Sequence, residues 1–290
     1  MIRTRAILSA AERLLLLLPV LLLTAGTAPA QIRYASKDAA FVDYLIGNNM
    51  ENDAVTLLTK SRYHASDTLH FLRGWASYSA KQLEDATQAF DKVPKGSPFH
   101  DKSLFFNVIS NAHLGNYYRS AELLRGYDGQ FLELKNLEQA GIALLQGRPD
   151  LYRTAAKDFT FSHFALTESE RALQHIYEER YYGNIKNPAL AAAASAVVPG
   201  LGKVYAGELA EGVASFLTVG SLAAITAENW SKNGFTNWKT LLFGAVGAAF
   251  YIGNIYGSYV SVSIHNNDLK NAQDTAILYH IHIPLRSFFQ

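Results

Sequence analysis

The 290-residue sequence contains no cysteine. That excludes disulfides, thiolate zinc sites and a cysteine nucleophile, and it agrees with export without requiring it. A dominant charge is also missing. The net charge is +1, and without residues 1–30, which hold Arg3, Arg5 and Arg13 against Glu12, it becomes −1. No basic field marks a nucleic-acid partner, and no acidic excess marks a cation sponge. Catalytic signatures are absent too: there is no H-E-x-x-H, no G-x-S-x-G and no S-x-x-K in a fitting context. His100 with Asp101 and Glu178 with Glu179 read as solvated helix surface. The sequence predicts no catalysis, no cofactor and no metal.

What is present begins with an address. Three arginines precede the apolar run LLLLLPVLLL (residues 14–23), and TAPA ends at Ala30. A positive start, a core of about ten apolar residues and an A-x-A-like site are the layout of a secretory signal. The core is short for a spanning helix. Cleavage after Ala30 is the expectation, with an uncleaved anchor as the alternative. No cysteine follows the site, so lipoprotein processing is excluded.

Residues 37–182 are rich in alanine, leucine, tyrosine and charge, with helical periodicity. Ala54, Ala86, Ala121 and Ala155 occupy similar positions in ENDAVTLL, LEDATQAF, YRSAELL and LYRTAAKDF, at spacings of 32, 35 and 34 residues. A period near 34 predicts helix-turn-helix pairs stacked in a solenoid. In LHFLRGWASYSAKQLEDATQAFDKVPKGSP, Gly74 admits a second helix, Ala86 and Phe90 supply its contacts, and Pro98 closes the unit. This stretch resembles a tetratricopeptide repeat. The first and fourth segments keep Ala54 with Leu58 and Ala155 with Phe159. The third departs at Arg125, where Leu124 is the substitute, and only the second has the matching glycine. The resemblance implies a repeat domain over residues 36–183 whose concave face carries Phe71, Trp75 and Tyr78, then Phe106, Ser110 and His113, as partner-binding residues for a protein or peptide. The alternative for Trp75 and Phe106 is core packing between repeats. Thr167 and Glu170 have the spacing of a capping box opening a final helix.

From Asn187 the composition turns apolar, which predicts a membrane module over residues 187–265. Residues 187–198 read as an interfacial helix, and residues 199–207 as a hinge of proline and glycine. Spans are expected at about residues 208–227 and 241–264, the latter uncharged throughout. Trp230 and Trp238 bracket the loop as belt residues do. Ala245, Ala249, Gly253 and Gly257 recur every four residues, a small-residue stripe suited to close helix packing and to a homo-oligomer. A buried soluble helical pair is the alternative.

The hinge contains Gly202-Lys203, but Val197 and Val204 stand where a Walker loop requires glycine and Ser or Thr. Tyr205 replaces the third glycine of a dinucleotide fingerprint. VVPGLGKVYAGELAEG instead resembles the PGLGQxYxG motif of small bacterial two-helix membrane modules, matching at Pro199, Gly200, Leu201, Gly202, Tyr205, Gly207 and Gly212, with Lys203 in place of glutamine. The resemblance implies membrane residence and contact with lipid.

Residues 266–290 form a tail. TAILYHIHIPLRSFF (275–289) alternates enough to predict a short strand with His280 and His282 on one face. The whole therefore reads as all-α: a solenoid of about four degenerate repeats, a transmembrane helical hairpin and a possible tail strand. The functional expectation is a noncatalytic scaffold on the bacterial inner membrane, with array and tail in the periplasm and a role in secretion or envelope assembly. The alternative is an oligomeric hairpin moving a small solute or lipid, with the repeats as its regulator.

Overall fold

In the computed structural model, residues 37–60 and 66–289 are described, and the expected signal peptide, residues 1–30, lies outside them. Every regular element among the described residues is helical, so the chain is all-α. Short helices come in succession: α1 (Lys37–Gly47), α2 (Glu51–Lys60), α3 (Asp67–Ser79), α4 (Leu83–Phe90), α5 (His100–His113), α6 (Tyr117–Arg125), α7 (Leu132–Leu145) and α8 (Pro149–Ala155). The turns between them use left-handed residues where the chain must reverse sharply, among them Gly115 and Gly147. Helices α1 and α2, α3 and α4, and α7 and α8 pack as neighbouring pairs.

The aligned small residues fare differently along the series. Ala54 and Ala86 are buried, and Gly74 lies directly under the Phe90 ring, where a Cβ would collide with it. In α6 the buried small residue is Ser120, and Leu124 fills the apolar site while Arg125 is exposed. Ala155 ends α8, after which the chain tightens into a 3₁₀ turn (Ala156–Asp158). The buried anchor of α8 is Tyr152, stacked on Tyr177 with centroids 4.3 Å apart.

Helix α9 (Thr167–Tyr182) is not opened by a capping box. Its N-cap is Leu166, and the Thr167 hydroxyl donates to His163 O at 2.8 Å. Buried Glu170 turns away from its own helix end and accepts from the amides of Thr160 and Phe161 in the preceding loop, at 3.3 and 2.8 Å. The amides of Leu166 and Thr167 already donate to His163 O, both at 2.9 Å, so the buried carboxylate goes to the loop amides, which would otherwise lack a partner among the described residues.

The remainder comprises α10 (Pro188–Val197), α11 (Leu201–Ala206), α12 (Leu209–Asn233) and α13 (Trp238–Phe289). Helices α12 and α13 are long and apolar enough, by length and composition, to cross a membrane. Helix α13 has 52 residues and rises about 78 Å at 1.5 Å per residue. It absorbs the stretch expected as a strand, which is a correction. Beneath the alternation runs a four-residue repeat, Gln273, Ile277 and Ile281, and all three are buried. Four-residue spacing fits one face of a helix, whereas period two fits a strand. His280 and His282 consequently lie on different faces. The His282 ring meets that of His113 edge-on at 5.9 Å, and His280 adjoins Tyr279.

The chain divides into two compact units: Met1–Ser110 with Leu285–Gln290, and Asn111–Pro284. The first holds α1–α4 and an aromatic core. The second holds α6–α12 and most of α13, so the two long apolar helices share a unit with the short helices α6–α9.

Candidate functional site

The glycine-rich joint is built by four elements of the second unit. Asn187 caps α10, its Oδ1 accepting from the amides of Ala189 and Leu190, and Pro188 stands at the first turn, where a missing N–H costs nothing. Pro199 follows the helix end. Gly200 adopts a left-handed conformation (φ +86°), and a Cβ there would strike Gly212 O. Gly202 lies against Ala191 O with no room for a side chain. Only glycine at both sites allows α11 to fold back onto α10 and α12 to pass over the turn.

Polar groups lock that fold. The Gly200 amide donates to Asn254 Oδ1 on α13 at 3.1 Å, and the Gly202 amide donates to Ser195 Oγ at 2.8 Å. Ser195 and Ser258 hydroxyls meet at 2.7 Å, and Ser258 donates to Asn254 O at 2.9 Å. A hydroxyl has one proton, so Ser195 is the donor between the two serines. Tyr205 accepts from the Asn187 amide at 3.1 Å, Lys186 donates to Ala206 O at 2.8 Å, and Ser261 donates to Glu208 at 2.8 Å. Gly207 (φ +108°) ends α11. Gly200 and Gly202 thus belong to one network through Asn254, Ser258 and Ser195, and Tyr205 makes a separate tie to Asn187. The hinge expected from the sequence did not include Asn254, Ser195, Ser258 or Ser261. The spacing of Asn254, Ser258 and Ser261 along α13 is the helical signal that finds those three.

The small-residue stripe is placed differently from the face that meets α12. Leu222 and Thr226 of α12 stand 3.5 Å from where Cβ atoms on Gly247 and Gly244 would lie. Ala245, Ala249 and Gly253 are exposed, and Gly257 is half-buried beside the Lys203 side chain.

In the first unit, four expected partner-binding residues form one aromatic cluster. Phe106 meets Trp75 and Tyr78 edge-on at 4.8 and 4.9 Å, and Phe71 stacks on Phe99 at 4.6 Å. Lys102 Nζ lies 4.2 Å from the Trp75 ring centroid. Burial pushes the Lys102 amine below its usual range, partly offset by Asp43, and pushes the Tyr78 phenol up to about 12, partly offset by Arg286. Phe71 and Phe106 are buried, Trp75 and Tyr78 half-buried. Ser110 is buried with its hydroxyl on Phe106 O, and His113 is exposed in the second unit. The cluster fills space more than it presents a face.

Two further groups stand out in the second unit. Arg180 of α9 donates to Asp274 Oδ1 (2.7 Å), Gln273 Oε1 (3.0 Å) and Leu144 O (3.0 Å). Glu138 of α7 is fully buried, and neither carboxyl oxygen has a hydrogen-bond partner among the described residues. Burial raises its carboxyl well above the usual range. Among the described residues, no group of three His, Asp or Glu is placed to hold a metal ion. Comparison with protein-family models, curated proteins and solved structures finds no match for the chain.

Proposed function

We propose that the chain is a noncatalytic scaffold anchored in the bacterial inner membrane. Helices α12 and α13 are its transmembrane hairpin, and the tetratricopeptide-like array and the tail lie in the periplasm. The array holds a protein or peptide partner within a secretion or envelope-assembly complex, and the joint of α10 and α11, similar to a PGLGQxYxG module, seats the hairpin at the bilayer surface.

One observation carries the membrane half of this reading, the inverted face pattern of α13. Between residues 250 and 264 the polar side chains point inward, with Asn254, Ser258 and Ser261 buried. Most of the large apolar ones point outward, with Phe250, Ile252, Tyr256, Tyr259 and Ile264 exposed, while Val262 is buried with Ala191 and Ala206 of the joint. Water disfavours that arrangement and hydrocarbon favours it. Beyond residue 265 the pattern reverts: Ile277 and Ile281 are buried while Asp268, Lys270 and Asn271 are exposed. The switch supports a bilayer surface near residue 265, level with the charged groups Lys186 and Glu208 of the joint. Exposed Trp230 and Trp238 suit the opposite surface.

Because the chain lacks cysteine, single cysteines report its placement cleanly. Tyr182→Cys, on the array, should react with a membrane-impermeant maleimide in spheroplasts. Phe235→Cys, between the spans, should react only after lysis. Equal reaction of both in intact spheroplasts, or recovery of the chain in the soluble fraction, would overturn the anchored reading. The scaffold half requires a stoichiometric protein partner in mild-detergent extracts, and its absence would count against that half alone.

A further inference from the structure

A cleft of about 520 Å³ is lined by α11, α12 and α13, within the range of about 300–1,000 Å³ usual for small-molecule sites. Its mouth holds Lys203 and Glu211, and its walls include Val219, Ala249 and Gly253. From Glu211 to Val219 is eight residues of helix, about 12 Å of depth. The mouth lies on the same side of the spans as Glu208 and Ser261, which are bonded to each other.

Three observations say what fills it. The mouth carries both charges close together, Lys203 Nζ and Glu211 Oε2 at 3.5 Å, a long contact that leaves each able to take a second partner. Below them the wall is mostly apolar, with Ser215 and Thr218 on the α12 side and Phe250 beside the small, uncovered Ala249 and Gly253 on α13. Asn254 also lines the cleft. It is 7% exposed, its Oδ1 is engaged by the Gly200 amide, and its Nδ2 has no hydrogen-bond partner among the described residues. A buried amide donor left unpaired is costly, and hydrocarbon tails alone do not satisfy it.

We infer that this cleft is a binding site for a single phospholipid with an amine-bearing zwitterionic headgroup. The phosphate sits on Lys203, the ammonium on Glu211, an ester carbonyl accepts from Asn254 Nδ2, and one acyl chain lies along Ala249 and Gly253. The inference rests on the membrane placement proposed above, since only a hairpin in a bilayer opens this cleft to lipid. A helix of a second copy would satisfy the small-residue walls, but it would leave the paired charges at the mouth without a matching dipole.

The test uses the full chain incorporated in vesicles of mixed phosphatidylethanolamine, phosphatidylglycerol and phosphatidylcholine, then released for native mass spectrometry. The wild type should retain one phosphatidylethanolamine. Gly253 lines the cleft and an added Cβ there meets nothing within 4 Å, so Gly253→Leu has open space at its root and puts its branch where the acyl chain would lie. It should reduce retention at least about tenfold, the effect of 1.4 kcal/mol. Glu211→Gln should keep the lipid but lose the preference for ethanolamine over choline. Unchanged retention in Gly253→Leu overturns the site, as does a wild-type dimer that Gly253→Leu dissociates. Alkaline carbonate separates the two levels of failure. A wild type stripped from the vesicles sinks the membrane placement and the site together, whereas an integrated chain with unaltered lipid retention sinks only the site.

Discussion

Arg180 and Asp274, ninety-four residues apart, meet at 2.7 Å with side chains only 12% and 18% exposed. The pair joins the last helix of the array to the long helix that supplies the second candidate span. Gln273 Oε1 and Leu144 O take two more of the guanidinium protons, so each of its three nitrogens donates. Lysine has the charge but not the planar fork. Arg180→Lys should therefore lower stability by about 2 kcal/mol, and Arg180→Met by more, because Asp274 then keeps only the exposed Lys270 as partner. Thermal melts of the detergent-solubilised chain, compared with a surface control such as Arg119→Lys, measure both.

The glycines of the joint are unequal, and the inequality is measurable. Gly200→Ala meets both a left-handed backbone and the Gly212 carbonyl, so α12 must move. Gly207→Ala meets only the backbone cost of about 1–2 kcal/mol, since Lys186 Nζ at 3.7 Å is the nearest neighbour. Gly200→Ala should collapse the yield of monodisperse protein, and Gly207→Ala should leave it largely intact. Equal yields would show that the turn does not depend on the close approach.

Much of this architecture was legible before the structure. Helical periodicity marked residues 37–182 as helical, and the Gly74–Phe90 contact lay in the sequence as a glycine sixteen residues before an aromatic one. The PGLG stretch was recognisable as a joint because every enzymatic reading of it failed on spacing. Three things were not legible. The tail strand was misread because His280 and His282 straddle Ile281, which mimics alternation, and only the partners at Gly141 reveal the four-residue stripe of Ile277 and Ile281. Glu170 was misassigned to a cap because its competing amides lie ten residues upstream. The role of Asn254 depends on a contact across fifty-four residues, which no local pattern carries.

The aromatic cluster separates packing from binding. Phe106→Ala removes a buried ring that meets both Trp75 and Tyr78 and should cost about 3–5 kcal/mol. His113→Ala, at an exposed position, should cost under about 0.5 kcal/mol. If His113 belongs to the partner surface, its variant loses partner while the melt is unchanged. If both variants lose partner only in proportion to their instability, the surface lies elsewhere.

Glu138 makes the array respond to pH in an unusual direction. Its carboxyl is raised well above 4.5 by burial, so the folded chain holds a proton that the unfolded chain releases. The folded state then binds more protons, and stability falls as pH rises above the unfolded value of about 4.5 toward the folded one. Ordinary salt-bridged carboxylates act oppositely. Glu138→Gln abolishes the ionisation and should flatten this slope. Glu138→Met also removes the two unpartnered oxygens and should raise stability by about 1–3 kcal/mol at neutral pH. Melting midpoints measured from pH 5 to about 8, the window in which such a group titrates, check the sign. A wild type that grows more stable across that window, with Glu138→Gln parallel to it, would mean that the carboxyl is ionised in the fold and paired there.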